Sequence, residues 1–301
     1  MFIVLYRKMF FILTAVIIGL AIFSIVFFGL NFGTDFTGGA ITEVSFPAER
    51  PPKEALERQL QNLPIGAFSL RPTGDDGYIL RTRDLIEEER IGVLNALSLN
   101  NTKEVVQERY NSIGPTIGSE LRNKAFVAIG IVVVAIILFV AFVFRKVSHQ
   151  VSSWKYGIIA IIALIHDVII PVGIFAFLGY TVGAEIDVLF VMALLAILGY
   201  SVNDTIVVFD RVRENLRLNR EHGSREDFEL TVGKSLNQTY IRSINTSLTT
   251  LFMLLALFFI GSEATQNFAL VLATGVVAGT YSSIFLATPL LVTIGKRALN
   301  R

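Results

Sequence analysis

The stretch Gly199–Arg213, G-Y-S-V-N-D-T-I-V-V-F-D-R-V-R, closes an apolar run that begins near Val188. A run of that length crosses a bilayer as a helix, which takes roughly 20 apolar residues. Asn203 and Asp204 lie inside it, with Ile206, Val207, Val208 and Phe209 still to follow. An ionised aspartate within a spanning helix costs roughly 2.5–3.5 kcal/mol on insertion scales, so by default it marks a functional site. The competing reading is a boundary residue that snorkels or caps. Asp210, Arg211 and Arg213 already mark the boundary one turn later, which makes Asp204 an additional charge.

Five further apolar runs accompany this one: Met9–Leu30, Ala125–Phe144, Tyr156–Leu178, Ile244–Ile260 and Phe268–Ile294. Charged residues make up 17% of the chain, against about 25% in a soluble domain. The expected fold class is an α-helical polytopic membrane protein with six transmembrane helices. A net charge of +1 argues against a nucleic-acid surface. The absence of cysteine excludes disulfides and thiolate metal sites, and the three histidines lack metal-ligand spacing, so no metal is expected. Residues 1–30 are expected to be a retained first span. The apolar run is longer than the roughly 7–15 residues of a signal peptide, and Phe27-Phe28-Gly29 makes a poor cleavage site.

Residues 31–123 are polar enough to form a domain of their own. Ala40–Phe46 reads as a strand, Pro52–Asn62 as a helix, and Ala67–Pro72 and Tyr78–Arg83 as two strands about a Gly74–Gly77 turn. Glu87–Leu97 reads as a second helix and Lys103–Tyr110 as a fourth strand. The order β-α-β-β-α-β predicts a ferredoxin-like α+β unit. Residues 124–301 then form a five-helix transmembrane region. Its loop 210–240 is expected to carry an amphipathic surface helix with a break at Gly223. Lysine and arginine concentrate at Arg7 and Lys8, at Arg145, Lys146 and Lys155, in the 210–240 loop, and at Lys296, Arg297 and Arg301. By the positive-inside rule these segments and both termini are cytoplasmic and the 31–123 domain is extracytoplasmic.

Several polar constellations could carry chemistry. From Arg242, residues Asn245, Thr246 and Thr249 follow at i+3, i+4 and i+7 on one helical face, which should look into the bundle. This makes Arg242 either a boundary anchor or the counter-charge of Asp204. His166-Asp167 falls in mid-span, four residues before Pro171. It reads either as a local packing pair or as a second candidate proton path. Gly275-x-x-x-Gly279 reads as a close helix contact. Asp35-Phe36-Thr37-Gly38-Gly39 reads as a turn with glycines opening a strand. There is no phosphate loop and no nucleophile–base spacing, so no enzyme is expected.

Four of these motifs occur together: Gly33-x-Asp35-Phe36-Thr37-Gly38-Gly39, His166-Asp167-Val168, Gly199 through Arg211, and Arg242-Ser243-Ile244-x-Thr246-Ser247. In that combination the chain resembles the SecF subunits of bacterial protein translocases, in the SecD/SecF family of the resistance-nodulation-division superfamily. The resemblance implies an accessory subunit of the Sec preprotein translocase in the bacterial plasma membrane, working on a translocating preprotein and driven by the proton-motive force. It implies SecD and the SecYEG channel as partners, with YajC and YidC as further candidates, and no cofactor beyond protons. By motif, Asp204 would be the relay carboxylate and Arg242 its partner, with Asn203 and Thr246 beside them. Two other readings stand against it. Half of a small-molecule or lipid exporter of the same superfamily would carry larger external domains. A structural scaffold leaves the charges within the spans unexplained.

Overall fold

In the computed structural model, residues 2–143, 153–224 and 226–299 are described; Arg145, Lys146, Arg225 and Arg301 lie outside them. Two units emerge, Phe32–Phe126 and Met1–Asn31 with Val127–Arg301.

The first unit opens with a single helical turn, α3 (Thr34–Thr37), which follows α1 (Phe2–Leu5) and α2 (Arg7–Phe28) of the second unit. Then come β1 (Gly39–Ser45), α4 (Lys53–Gln61), β2 (Ser69–Thr73), β3 (Gly77–Thr82), α5 (Glu87–Leu97) and β4 (Val106–Ile113). The strands form one sheet in the order β2-β3-β1-β4. Every pairing is antiparallel, with Val44 opposite Tyr78 on β3 and Thr42 opposite Tyr110 on β4. This is the split βαβ arrangement of a ferredoxin-like unit. Leu56 and Leu60 of α4 and Val93 and Leu97 of α5 pack with Ala40, Val44, Leu70 and Leu80 of the sheet. The fourth strand starts three residues later than the sequence predicts. Leu99, Asn100 and Asn101 all take positive φ, and the N–H groups of Thr102 and Lys103 donate back to the Ser98 carbonyl at 3.0 and 2.9 Å. The chain therefore curls before it can extend.

The second unit is helical. α6 (Pro115–Val143) begins ten residues ahead of the expected apolar run, with Pro115 at its first position, where a missing N–H costs nothing. α7 (Ser153–Thr181), α8 (Val188–Glu221), α9 (Phe228–Ile260), α10 (Glu263–Tyr281) and α11 (Thr288–Leu299) follow. α10 and α11 are joined through a π-helical turn, Ser282–Ala287. Among the described residues, six helices are long and apolar enough to cross a membrane. α7, α8 and α10 form the centre: a Cβ on Gly275 would strike Ile197, and one on Gly279 would lie 3.0 Å from Ser201 Cβ. The small-residue pair thus serves as the close contact that its spacing suggests.

The 210–240 segment corrects its expectation. Among the described residues no separate surface helix lies there; α8 and α9 themselves run on, 34 and 33 residues long. At 1.5 Å per residue each extends about 50 Å, well beyond a hydrocarbon core of about 30 Å. Their polar ends pair as a hairpin. Asn215 Nδ2 donates to Ser235 Oγ at 2.8 Å and to Gln238 Oε1 at 2.9 Å, and Asn219 Nδ2 to Thr231 Oγ1 at 3.0 Å. Gly223, at φ +64°, ends α8 at the position of the expected break.

Candidate functional site

Asp204 sits on the inner face of α8 with Ser201, Thr205 and Val208, and is 5% exposed. Across from it, α9 presents Ser235, Thr239, Ser243 and Ser247, all buried. These four recur every fourth residue, so they form one stripe along the helix. Ser243 and Ser247 are the hydroxyls of α9 nearest in effect to the Asp204 carboxylate, and Arg242 acts on it through charge. Among the described residues Asp204 and Arg242 form no ion pair within 4 Å. Asp204 Oδ2, Thr205 Oγ1 and Ser243 Oγ are buried without hydrogen-bond partners. Such orphans are rare in folded proteins and call for an explanation. A proton or a water bound between the helices would satisfy them.

The stripe expected from Arg242 does not face its own bundle. Arg242, Asn245, Thr246 and Thr249 are exposed on the chain, as is Asn203. Small hydroxyl side chains let α9 approach α8 closely, and the bulkier residues are turned outward. Sequence reading therefore missed Ser243 and Ser247. The four-residue recurrence of Ser235, Thr239, Ser243 and Ser247 was a visible signal for them. Ser247 extends the polar contacts, accepting from Thr280 Oγ1 at 2.5 Å and from Tyr200 Oη at 3.3 Å.

His166 and Asp167 are fully buried in α7. His166 Nδ1 and Asp167 Oδ1 are 2.7 Å apart. Asp167 Oδ2 accepts from Ser282 Oγ at 2.8 Å and also from Ser201 Oγ. The two acidic positions are thus tied to one face of α8, Ser201 standing one turn before Asp204.

Gly38 and Gly39 have a backbone role at the start of the sheet. Asp35 lies in the first turn of α3. Gly38 has φ +79°, and a Cβ there would fall 2.7 Å from Pro115 Cα; Gly39 has φ +139°, and its Cβ would fall 2.6 Å from the Thr82 carbonyl oxygen. Only glycine fits both the torsions and the space.

Comparison with known proteins places these features. Residues 93–297 match the family described as protein export membrane protein SecD/SecF, C-terminal, and residues 23–46 match the SecD/SecF GG motif. The chain belongs to the SecD/SecF family. The glycine pair whose steric basis is given above lies within the second of these matches. Within the family, the chain is 42% identical to protein translocase subunit SecF of Thermobaculum terrenum, covering 97% of this chain and 93% of that one. It is 37% identical to the subunit of the same name from Anaerolinea thermophila, covering 93% and 89%. Among solved structures it resembles SecDF, a translocon-associated membrane protein from Thermus thermophilus, with a TM-score of 0.81 and 31% identity. That match covers 98% of this chain, which spans 38% of the SecDF chain. The SecD/SecF membership and the apolar helices make this a multi-pass protein of the bacterial inner membrane, of the protein-translocase type.

Proposed function

We propose that this chain is the SecF-type half of a SecD–SecF accessory complex that uses the proton-motive force to assist preprotein export through SecYEG. YajC and YidC are candidate further members. Both termini lie in the cytoplasm and residues 32–126 outside, in keeping with the basic loops. The observation that carries the reading is Asp204: a carboxylate buried in a spanning helix, with one oxygen unpartnered and only hydroxyls and one guanidinium to answer it. An ionised carboxylate there is costly, and either Arg242 or a bound proton offsets the cost. A helix shift that exchanges one remedy for the other takes up a proton on one side and releases it on the other. One charge falling through 100 mV supplies about 2.3 kcal/mol, enough to bias a two-state element. The reading needs no bond-breaking chemistry and no cofactor besides protons. SecD is the partner because a single SecDF chain contains the region this chain matches.

The test is export into vesicles by the purified complex, with and without a pH gradient. Asp204→Asn should assemble normally and lose at least about tenfold of the gradient-driven stimulation, roughly 1.4 kcal/mol of coupling. Full gradient-driven export by an assembled Asp204→Asn complex would sink the proposal.

A further inference from the structure

Asp167 is not used by the relay just described, yet it is the more completely engaged carboxylate. It is fully buried, and groups from three elements meet on it: His166 of α7, Ser201 of α8 and Ser282 of the π-turn. Two interruptions of regular helix coincide there. Pro171 lies four residues on within α7, and because proline has no N–H the Asp167 carbonyl loses its intrahelical donor. Ser282 opens the Ser282–Ala287 π-turn, a rare form that gathers at functional sites. His166 adds an open end. With Nδ1 committed to Asp167, its Nε2 is buried without a partner, and the ring stacks on Tyr281 at 5.7 Å and 19°. Tyr281 Oη in turn meets Thr14 Oγ1 of α2 at 3.1 Å.

The titratable groups around Asp167 are His166 on its own helix, Tyr281 of α10 behind that imidazole, and Asp204 one turn beyond Ser201 on α8. The π-turn contributes Ser282 and α2 contributes Thr14. Among the described residues these hydrogen bonds bring it no lysine or arginine. An ionised Asp167 accepts from all its neighbours at once. A neutral one carries a proton of its own, so one partner must change: His166 Nδ1 or a hydroxyl turns from donor to acceptor, or a hydroxyl leaves.

We propose that Asp167 is a second proton-binding carboxylate, linked to Asp204 through Ser201, and that the Ser282–Ala287 π-turn changes its hold when that proton arrives or leaves. One proton is gained on a carboxylate oxygen and later lost, and no other covalent bond changes. The proposal rests on the proton-coupled reading above, but its readout does not depend on export.

The measurement is an infrared pH titration of the complex with SecD in lipid nanodiscs, following the carbonyl stretch of protonated carboxylic acids. Asp167→Asn should remove one pH-dependent band, and Asp204→Asn a different one. Amide exchange over Ser282–Ala287 should rise at least threefold in Asp167→Asn, which fixes a neutral side chain. A carboxyl spectrum unchanged by Asp167→Asn would overturn the proton assignment, and unchanged exchange would overturn the role of the π-turn. If Asp167→Asn fails to assemble, Ser282→Ala takes its place. Loss of that hydroxyl removes one donor from Asp167 and should shift the frequency of its carboxyl band, and an unshifted band overturns the proposal. The Asp204 reading is judged separately, on the gradient dependence of Asp204→Asn.

Discussion

Gly38 shows how one residue can be fixed twice over, by torsion and by space. Its φ of +79° is open to glycine, and its missing Cβ makes room for Pro115. Gly66 has a similar φ of +72° but nothing nearer than Arg83 Cδ at 4.0 Å. Gly38→Ala should therefore destabilise the 32–126 unit by about 3 kcal/mol or more, since strain and overlap add. Gly66→Ala should cost about 1–2 kcal/mol, the torsional part alone. Urea unfolding of the two variants separates the contributions, and equal losses would remove the steric account. A second expectation concerns acid. The guanidinium of Arg83 hydrogen-bonds Glu89 and that of Arg90 hydrogen-bonds Glu87, and both carboxylates are held below the ordinary glutamate value of 4.5. A lowered folded-state value means stability that is complete above 4.5 and lost as pH falls through the folded-state value. Glu89→Gln should flatten the acid limb of the urea midpoint plotted against pH. An acid limb like the parent's would show that the pair adds nothing.

α9 is the element with the most to explain. Only 17% of its most apolar window is buried within the chain, against 56% for α8. Its exposed side holds Ile244, Leu248 and Phe252 and also Arg242, Asn245, Thr246 and Thr249. Thr246 and Thr249 donate to carbonyls of their own helix, but Arg242 and Asn245 left facing lipid would be costly, so this face is expected to meet protein in the assembled state. Thr246→Cys is expected to react with a membrane-permeant maleimide in the chain alone. Assembly with SecD should slow that reaction at least about tenfold, as burial of the site requires. Equal labelling in both states would place SecD elsewhere.

At the scale of the whole molecule, the expected outcome is opposite exposure of two glycine turns. A reporter fused at Gly77 should be active outside the membrane and one at Gly223 inside, because the basic residues cluster on the Gly223 side. An external signal at Gly223 would reverse the orientation. The 32–126 unit, with its own core of Leu56, Leu60, Leu80, Val93 and Leu97, should fold in isolation and give cooperative urea unfolding.

Much of this protein could be read from neighbouring residues alone. The spans follow from apolar runs, since a helix satisfies its own backbone in lipid and needs no distant partner. The second helix of the 32–126 unit, Glu87–Leu97, is legible to the residue because the acid in its first turn is a local signal. Asp204 and Asp167 were visible as charges where charge is costly. Their surroundings were not. Whether Arg242 or Ser243 faces Asp204 depends on a rotation of about 100° about the axis of α9, and packing against α8 decides it. Ser282 stands 115 positions after Asp167, so nothing in either segment announces the other. The glycine pair read only as a turn until Pro115 and Thr82 closed on it. Periodicity along the chain specifies which face of a helix is apolar; close packing between helices decides which of two polar stripes is buried, because only small side chains let the backbones meet.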